Sequence, residues 1–492
     1  MNLLDIYTYK KQLVKLSLLT VPLISLTTSC KDDFLDAMPP TSVSVESAFD
    51  TPARVEAQVN GLYATVKSGT FLGGRYQIYN DIRGDEFVNR LSNGVTGYNA
   101  WNYTVGGDDT YIGNFWITGY LAINRANLFL EGLEANASKI DPADLPRYRG
   151  EAKFLRALTY LSLVQIYANP YVLDNGASPG IPLRLQGETT SENNDLARST
   201  VAEIYAQILA DLNDAETDLP AQYGTGSANS ALNVTRANKI AAIALKTRVY
   251  LTMGKYAEVI TEGNKIVSAS APFTSPIGVS YQLEPSVAAV YTSYTTNEAV
   301  LSFAMSATSA PGTQNQLGYY FNGGTNGNRE YYLNNSTTGI TGIYTNPQFR
   351  ETDARKTALT TTLSEQQYVT KFAGVSPFTD WVPIIRYAEV LLNLAEAEAE
   401  VGSQERALAL LLAVHHRSDP TWEYMPASKQ DLINTILTER RIELLAEGFR
   451  TNDLKRRGQA IPSVGAAANI PVTADTYNLP IPTSEIQTNS LL

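Results

Sequence analysis

The 492-residue chain contains a single cysteine, and this scarcity excludes several classes of protein. One cysteine cannot form an internal disulfide, so we predict no disulfide framework and no cysteine-rich zinc site. The only two histidines, His415 and His416, are adjacent. Neighbouring side chains on a helix diverge by about 100° around its axis, so these two cannot both bind one metal ion. A glycine-rich phosphate-binding motif is also missing.

Charged residues are scarce as well, at 18% of the chain, and their formal net charge is −11. A chain this acidic does not seek nucleic acid or an anionic lipid surface by charge alone, so we expect no nucleic-acid partner. Tyrosine, in contrast, supplies 29 residues. A polar but weakly charged surface suits neutral, hydroxyl-rich ligands, although it is equally typical of extracellular proteins with no such ligand.

Long apolar runs are missing too. The run from Leu16 to Leu26 has eleven residues, whereas a membrane-spanning helix requires about 20. Lysines precede this run, and the small residues Thr27, Thr28 and Ser29 lead from it into Cys30. This arrangement is typical of a bacterial export signal. The sequence therefore predicts an exported chain and not a membrane-spanning one.

Cys30 lies directly after this signal. An unpaired thiol is a liability in an oxidising compartment unless something consumes it. The segment resembles a bacterial lipoprotein signal, with the departure that Leu26 stands four residues before the cysteine and not three. We expect residues 1–29 to be a signal peptide and residues 30–44 to be a lipidated cysteine and tether. Acyl chains, at about 0.8 kcal/mol per buried methylene, would hold the protein on a bilayer.

The residues after the cysteine carry a second signal. Residues 31–33 read Lys-Asp-Asp, which resembles the acidic tag that sends Bacteroidetes lipoproteins to the cell surface. The alternative is a solvated tether. We expect a lipid-anchored protein of the cell outer membrane that faces the exterior.

Helical periodicity dominates the rest of the chain. We predict helices at Pro52–Lys67, Ile117–Leu133, Arg147–Tyr167, Asn238–Met253, Tyr256–Ser268, Pro383–Val401, Gln404–His416 and Lys429–Glu447, and one after the capping box of Thr200 and Glu203. In the second of these helices, Leu121, Leu128 and Leu133 are expected to mark the apolar face. Residues 238–268 resemble a tetratricopeptide hairpin, and such hairpins bury their faces by stacking side by side.

Two regions lack this periodicity. Residues 76–116 are rich in Gly, Asn, Asp and aromatics, and we predict a loop region that is too polar for a core and shaped for recognition. Residues 270–380 predict a loop-rich insertion with short strands, and the C-terminal tail is expected to be extended. The fold class is thus mainly α: a tetratricopeptide-like helical-hairpin scaffold with an irregular loop-rich lobe containing short strands, in a single domain over residues 45–492.

Several stretches together resemble one known family. They are CKDDFLDAMPPTSVSVESAFD near the N-terminus, RGEAKFLRALTYLSLVQIYANPY, ALKTRVYLTMGKYAEVI, PIIRYAEVLLNLAEAEAEVG, ERRIELLAEGFRTNDLKRRG and the closing LPIPTSEIQTN. These segments and their order along the chain are similar to those of the SusD/RagB family of Bacteroidetes surface lipoproteins, and the resemblance covers almost the whole mature chain. The resemblance implies capture of glycan and a partner, a SusC-like TonB-dependent outer-membrane transporter.

The candidate ligand-binding residues lie mainly in the two aperiodic regions. Neutral sugars expose apolar C–H faces ringed by hydroxyls, so a site needs aromatic platforms beside polar partners. The candidates are Asp81, Arg83, Asp85, Tyr98, Trp101 and Tyr103 with Asn80 from the first region, Tyr319, Tyr320 and Tyr331 with Tyr332 from the second, and Arg386. Alternatively, the aromatics pack the lobe and the polar residues satisfy turns.

Charged residues near the C-terminus favour a structural interpretation. Arg440, Arg441, Glu443, Glu447, Arg450 and Asp453 recur at three- and four-residue spacings, which predicts a network of ion pairs. Arg386 and Glu389 are three residues apart, which likewise predicts an ion pair. A guanidinium can also donate hydrogen bonds to sugar hydroxyls, so Arg386 stays a ligand-binding candidate.

Rival functions stay open at this point. Asp81 with Asp85, or Asp108 with Asp109, could form the carboxylate pair of a glycoside hydrolase, but nothing separates them from ordinary loop aspartates. We expect no enzyme and no cofactor, and a structural calcium ion among the loop carboxylates is left open. Two more functions fit the same residues: a structural lid that binds little ligand of its own, and uptake of peptides or glycoprotein fragments.

Overall fold

The computed structural model describes residues 47–224, 230–324, 327–374 and 376–492. The predicted signal peptide, Cys30 and the tether lie outside the described residues. Within the described ranges, none of the helices combines the length and the apolar composition that a membrane span requires.

Helices form most of the regular structure. In chain order they are α1 (Pro52–Val66), α2 (Arg75–Ile82), α3 (Tyr98–Trp101), α4 (Thr110–Ala135), α5 (Leu145–Tyr167), α6 (Val201–Asp218), α7 (Ala231–Thr235), α8 (Lys239–Thr252), α9 (Tyr256–Ile266), α10 (Leu317–Phe321), α11 (Ala354–Ala358), α12 (Tyr387–Val401), α13 (Gln404–His416), α14 (Lys429–Glu443), α15 (Arg450–Arg456) and α16 (Thr483–Thr488).

Strands are short. They are β1 (Phe87–Asn89), β2 (Pro179–Pro182), β3 (Arg198–Thr200), β4 (Ala299–Phe303), β5 (Tyr331–Leu333), β6 (Thr360–Leu363), β7 (Gln366–Val369), β8 (Val382–Arg386), β9 (Ile461–Ser463) and β10 (Ala468–Ile470). They pair in twos, and all the pairs are antiparallel: β1 with β5, β2 with β3, β4 with β8, β6 with β7 and β9 with β10.

Local sequence signals explain several helix starts. Thr51 precedes α1, which begins with Pro52, and its hydroxyl accepts a hydrogen bond from the Arg54 amide at 3.3 Å. At α6, Thr200 and Glu203 form the predicted capping box. The α8–α9 hairpin is also confirmed, since Gly254 has a φ of +69° that lets the chain reverse between the two helices.

The helices form a scaffold of neighbouring hairpins. Helix α5 packs between α4 and α6, α8 packs against α9, and α12 packs against α9, α13 and α14. One apolar cluster runs through these contacts and includes the fully buried Phe154, Ile243 and Leu392. The predicted mainly α fold with stacked helical hairpins is therefore confirmed.

The loop-rich lobe occupies most of the chain between α9 and α12. It contains strands β4 to β7, the short helices α10 and α11, and long irregular connections. Strand β4 pairs with β8, which leads directly into α12. The lobe is thereby joined to the scaffold through a two-stranded sheet whose residues are all buried.

Several details of the sequence interpretation are wrong. The region 76–116, predicted as loops, contains most of α2, all of α3 and the start of α4. The helix predicted from Pro383 begins only at Tyr387, because residues 382–386 pair with β4 as a strand. The tail is not wholly extended, since it contains α16. On α4 the expected apolar face is wrong: Leu121 and Leu128 are 42% and 36% exposed, while Leu133 is buried. A five-residue step turns a helix by about 140°, so Leu128 and Leu133 cannot share a face.

Candidate functional site

Asp81 lies on the buried helix α2 and not in an exposed loop. Its carboxylate accepts hydrogen bonds from the backbone amides of Gly448 at 2.8 Å and Arg450 at 3.1 Å, so it caps the start of α15. Burial raises the pKa of Asp81 to about 7, against the opposing effect of those two amides. Asn80 is buried beside it and donates to the Tyr76 carbonyl. The expectation that residues 76–116 are too polar for a core is wrong here, because neighbouring segments supply hydrogen-bond partners.

Arg83 and Tyr103 form a second buried unit. The Arg83 guanidinium donates to the Thr476 carbonyl at 2.7 Å and lies 4.8 Å from the ring centre of Tyr103. The Tyr103 hydroxyl donates to the Arg83 carbonyl at 2.7 Å. Arg83 therefore anchors the first aperiodic region to the C-terminal segment, and Tyr103 packs with Ile461 and Tyr477 of the same segment.

Asp85 is held by two arginines. Arg450 donates to its carboxylate at 2.6 and 2.9 Å, and Arg441 donates at 3.0 Å. Burial opposes ionisation of Asp85, but Arg450 and Arg441 outweigh it and lower its pKa. Protein donors thus occupy both members of the Asp81 and Asp85 pair, and neither presents a free carboxylate to a substrate.

The other aspartate pair is divided between two environments. Asp109 caps α4, where its carboxylate accepts hydrogen bonds from the amides of Tyr111 at 2.8 Å and Ile112 at 3.2 Å. Asp108 is exposed. Among the described residues, no group of three or more Asp, Glu, His or Cys side chains is arranged to hold a metal ion. His415 is buried against Glu439, and His416 lies near the carbonyl of Trp422.

Tyr320 and Tyr331 are fully buried within the lobe. Their rings stack with centres 6.1 Å apart and planes 8° apart. The hydroxyl of Tyr320 donates to the Gln314 carbonyl at 2.9 Å, and that of Tyr331 donates to the Thr96 carbonyl at 2.9 Å. Packing and internal hydrogen bonds account for both residues.

Arg386 ends β8 inside a buried charge cluster. Its guanidinium donates to Glu298 at 2.5 Å, to Glu443 at 2.8 Å and to Glu447 at 2.7 Å. The remaining donations go to the Glu443 carbonyl and again to Glu447, so each of its five N–H groups has an acceptor. The ion-pair explanation is confirmed, but with these partners and not with Glu389, which pairs with Arg248. Every N–H donor of Arg386 is therefore occupied before any sugar hydroxyl could approach.

The predicted C-terminal ion-pair network is also confirmed. Arg440 pairs with Asp453, Arg441 and Arg450 pair with Asp85, and Glu443 accepts from three arginines, Arg355, Arg386 and Arg417.

Tyr98 and Trp101 are the candidates of the first region that stay partly exposed. They lie on the short helix α3 with ring centres 5.8 Å apart. The Trp101 indole N–H donates to the Phe87 carbonyl at 3.0 Å, which fixes the ring. A ligand-binding role for this pair stays a prediction.

Two further aromatic pairs lie in the lobe, and both are partly exposed. Tyr319 packs edge-on against Phe378, with ring centres 5.8 Å apart, and Tyr294 packs edge-on against Trp381, with ring centres 6.2 Å apart. We call these four residues the lobe aromatics. Phe378 and Trp381 both belong to the segment 376–381, so one loop contributes a ring to each pair.

Asp380 lies inside this loop. One carboxylate oxygen accepts a hydrogen bond from the Gly374 amide at 2.8 Å, and the other is buried with no hydrogen-bond partner among the described residues. Burial raises the pKa of Asp380. The loop therefore combines two aromatic rings with an acceptor that is only half satisfied.

Contacts connect α3 with the lobe aromatics. The Thr96 hydroxyl, just before α3, donates to Glu330 at 2.8 Å, and Glu330 accepts from the side chain of Asn328. The Asn328 backbone amide donates to the Tyr319 carbonyl at 2.9 Å. These hydrogen bonds thus link the segment just before Tyr98 and Trp101 to Tyr319 of the lobe. Tyr332 packs near Tyr368.

Sequence reasoning missed Tyr294, Phe378 and Trp381. A signal was present, since the chain has four tryptophans and one of them closes the polar stretch SPFTDW directly before a β-branched strand. Aromatic residues in a polar turn are exposed unless something packs on them. Which rings pair across the lobe depends on contacts between residues far apart in the chain.

The comparisons with known proteins match this fold over nearly its whole length. A family model described as "Starch-binding associating with outer membrane" matches residues 33–251, and one described as "SusD family" matches residues 244–492. A SusD superfamily protein from Bacteroides fragilis has 33% identity and a TM-score of 0.80, with 90% of this chain and 99% of that one covered. The chain belongs to the SusD family.

Two further proteins are more distantly similar. "SusD-like protein P2" of Formosa agariphila is 25% identical, with 94% of this chain and 95% of the relative covered. A structure named "Laminarin binding SusD-like protein" is 24% identical, with a TM-score of 0.70 and coverage of 90% and 99%, and it shares the fold. The predicted SusD/RagB membership is confirmed.

Proposed function

We propose that this SusD-family chain is a cell-surface lipoprotein that binds oligo- or polysaccharide and passes it, uncleaved, to a SusC-like TonB-dependent outer-membrane transporter. Membership of a family described as starch-binding and associated with the outer membrane supports the ligand class. In this proposal the protein is a binder and not an enzyme.

The observation that carries the proposal is the pairing of the lobe aromatics. Tyr319 with Phe378 and Tyr294 with Trp381 provide partly exposed ring surfaces from three separate segments. Aromatic rings pack well against the C–H faces of sugars, and their edges are fixed here by ring-to-ring contacts. The segment 376–381 also supplies Thr379 and Asp380 as polar neighbours.

A titration tests this proposal directly. The mature chain with Cys30→Ser is titrated calorimetrically with laminarin, starch and mannan oligosaccharides and with an acidic polysaccharide. We expect saturable binding to a neutral glycan and, in Trp381→Ala, a loss of about tenfold or more in affinity, since each 1.4 kcal/mol corresponds to a factor of ten.

A matched tryptophan provides the control. Trp422 also pairs with a tyrosine, Tyr424, with ring centres 5.0 Å apart, but it packs on His415 of the scaffold. Trp422→Ala should leave the affinity unchanged. The absence of binding heat with every glycan would contradict the proposal and favour a structural lid or a peptide ligand. Equal losses of affinity in Trp381→Ala and Trp422→Ala would show that the lobe aromatics do not form the site.

The anchor and the transporter are tested separately. Palmitate labelling of the natural chain, lost in Cys30→Ala, is the expected result for a lipoprotein. Co-purification of a TonB-dependent barrel from detergent-solubilised outer membranes is the expected result for the partner. Incubation of the protein with a bound oligosaccharide should return it at its original length, whereas shortened products would identify a hydrolase.

A further inference from the structure

Glu447 lies where the elements that carry the lobe aromatics meet the scaffold. It belongs to the turn between α14 and α15, and its side chain is only 2% exposed. The carboxylate accepts hydrogen bonds from three side chains that come from three different parts of the chain: Tyr291, Lys371 and Arg386.

Two of these side chains flank the loop that carries Phe378 and Trp381. Lys371 precedes the loop 376–381, and its ammonium donates to Glu447 at 2.8 Å. Arg386 ends the strand that follows the same loop, and it donates to Glu447 at 2.7 and 2.8 Å. The chain on both sides of the loop is therefore fixed to one carboxylate.

Tyr291 brings the third element. Its hydroxyl donates to Glu447 at 2.8 Å, and its ring centre lies 5.1 Å from the Lys371 ammonium. Tyr294, which packs on Trp381, follows three residues later. Glu447 is thus hydrogen-bonded to the chain three residues before Tyr294 as well as on both sides of the loop.

The backbone around Glu447 is itself held in place. Gly448 has a φ of +85°, and a Cβ there would lie 2.6 Å from the Cα of Gln77, so only glycine fits. The Gly448 amide donates to Asp81, which fixes the turn against α2. A rigid carboxylate on a rigid turn can align separate elements, because hydrogen bonds to charged groups are short and directional.

We propose that Glu447 is a positioning residue of the glycan site, which holds the two pairs of lobe aromatics in register without touching ligand. The proposal rests on the proposed function for its ligand and goes beyond it in naming the scaffold group that the site depends on. Replacement of the carboxylate by an amide puts an N–H group in front of donors, so at least one of Lys371 and Arg386 loses its acceptor.

The test compares two buried glutamates in the mature chain with Cys30→Ser. Glu396 is the control: it is buried, and its carboxylate accepts from Arg456 at 2.6 and 2.7 Å and from Arg457 at 3.2 Å, away from the lobe. Glu447→Gln and Glu396→Gln both remove one buried carboxylate that serves two cations. Each variant is titrated with the laminarin, starch and mannan oligosaccharides. Amide hydrogen exchange is followed without glycan at Gly374, which donates to Asp380 of the loop, and in residues 382–386, which pair with β4 after the loop.

We expect Glu447→Gln to lower affinity by about tenfold and to speed exchange at Gly374 and in residues 382–386, while Glu396→Gln changes neither, since exchange of hydrogen-bonded amides reports local opening. Glu447→Asp keeps the charge and should recover part of both, and it replaces Glu447→Gln in the comparison if that variant does not fold. Unchanged affinity and exchange in a folded Glu447 variant overturn the proposal, as does an equal loss of affinity in Glu396→Gln.

The proposed function and this inference fail in distinguishable ways. If the unmodified chain binds none of the glycans, the proposed function is wrong, and hydrogen exchange alone decides whether Glu447 positions the loop. Faster exchange in the Glu447 variants supports the positioning role, and unchanged exchange rejects it.

Discussion

The helical scaffold and the loop-rich lobe differ in which side chains they bury. The scaffold encloses charged groups on α12 and α14, such as Glu396, Glu439 and Arg440, each at most 1% exposed. The lobe keeps Tyr319, Phe378, Tyr294 and Trp381 partly exposed. An enclosed ion pair needs partners fixed in advance, whereas an exposed ring remains free to contact a ligand.

This difference assigns separate properties to the two regions. Removal of one partner from a buried ion pair leaves an uncompensated charge, so changes among the buried charges should act on stability. Loss of an exposed ring removes little packing, so changes among the lobe aromatics should act on binding. Glu447 is one of the places where the two regions meet, since it accepts hydrogen bonds from Lys371 and Arg386.

Acidification should produce the largest change in stability, because it acts on the buried carboxylates of the scaffold. Burial favours the neutral form of Glu439, but Arg355 outweighs it and lowers the pKa to about 2; at the buried Asp453, Arg440 likewise lowers the pKa to about 2. A carboxyl with a lowered pKa in the folded state stabilises the protein above its ordinary pKa, and this contribution is lost as the pH falls from about 4.5 towards 2. Urea unfolding should therefore show a steep loss of stability in that interval.

Acid protonates Glu439 and Asp453 over the same pH interval. Each unit of pKa difference between the folded and unfolded states corresponds to about 1.4 kcal/mol of stability. Asp81 has the opposite sign, because its pKa of about 7 is raised, so its contribution is lost as the pH rises towards 7. A stability that does not fall as the pH drops from about 4.5 to 2 would contradict the role of the buried scaffold carboxylates.

Arg355→Met should have the next largest effect. Arg355 is 2% exposed and donates to Asp353, Glu439 and Glu443, so its removal leaves buried carboxylates unpaired. We expect a loss of about 3–5 kcal/mol in the free energy of unfolding. Arg350→Met is the matched control, since Arg350 is 35% exposed and pairs with Asp419 at 3.4 Å; its loss should be at most about 1 kcal/mol. Similar losses in both variants would show that burial does not set the difference.

Tyr98→Ala should have the smallest effect. The Tyr98 ring is partly exposed and contacts Trp101, so its removal is expected to leave stability nearly unchanged. If α3 borders the glycan, affinity should fall by roughly two- to fivefold, which is about 0.5–1 kcal/mol. Calorimetric titration beside Trp381→Ala measures the ratio of the two effects, and a larger loss in Tyr98→Ala would move the centre of the site to α3.

Much of the fold followed from patterns that are local in the chain. The capping box of Thr200, the hairpin of α8 and α9 and the helical period of α5 depend on residues within a few positions of one another, so the sequence predicts them well. Strand β8 was missed because its pairing with β4 joins residues about eighty positions apart, which no local period reveals.

The candidate site divides in the same way. The sequence alone determined that glycan-type residues are concentrated in two regions and that the chain resembles the SusD/RagB family. Only the tertiary structure decided which candidates are buried with internal partners: Asp81, Arg83, Asp85, Tyr320, Tyr331 and Arg386. It also decided that Trp381 pairs with Tyr294 and Phe378 with Tyr319, and that these rings stay partly exposed. The physical reason is that the burial of a polar side chain depends on a partner from a distant segment, which becomes a neighbour only when the chain folds.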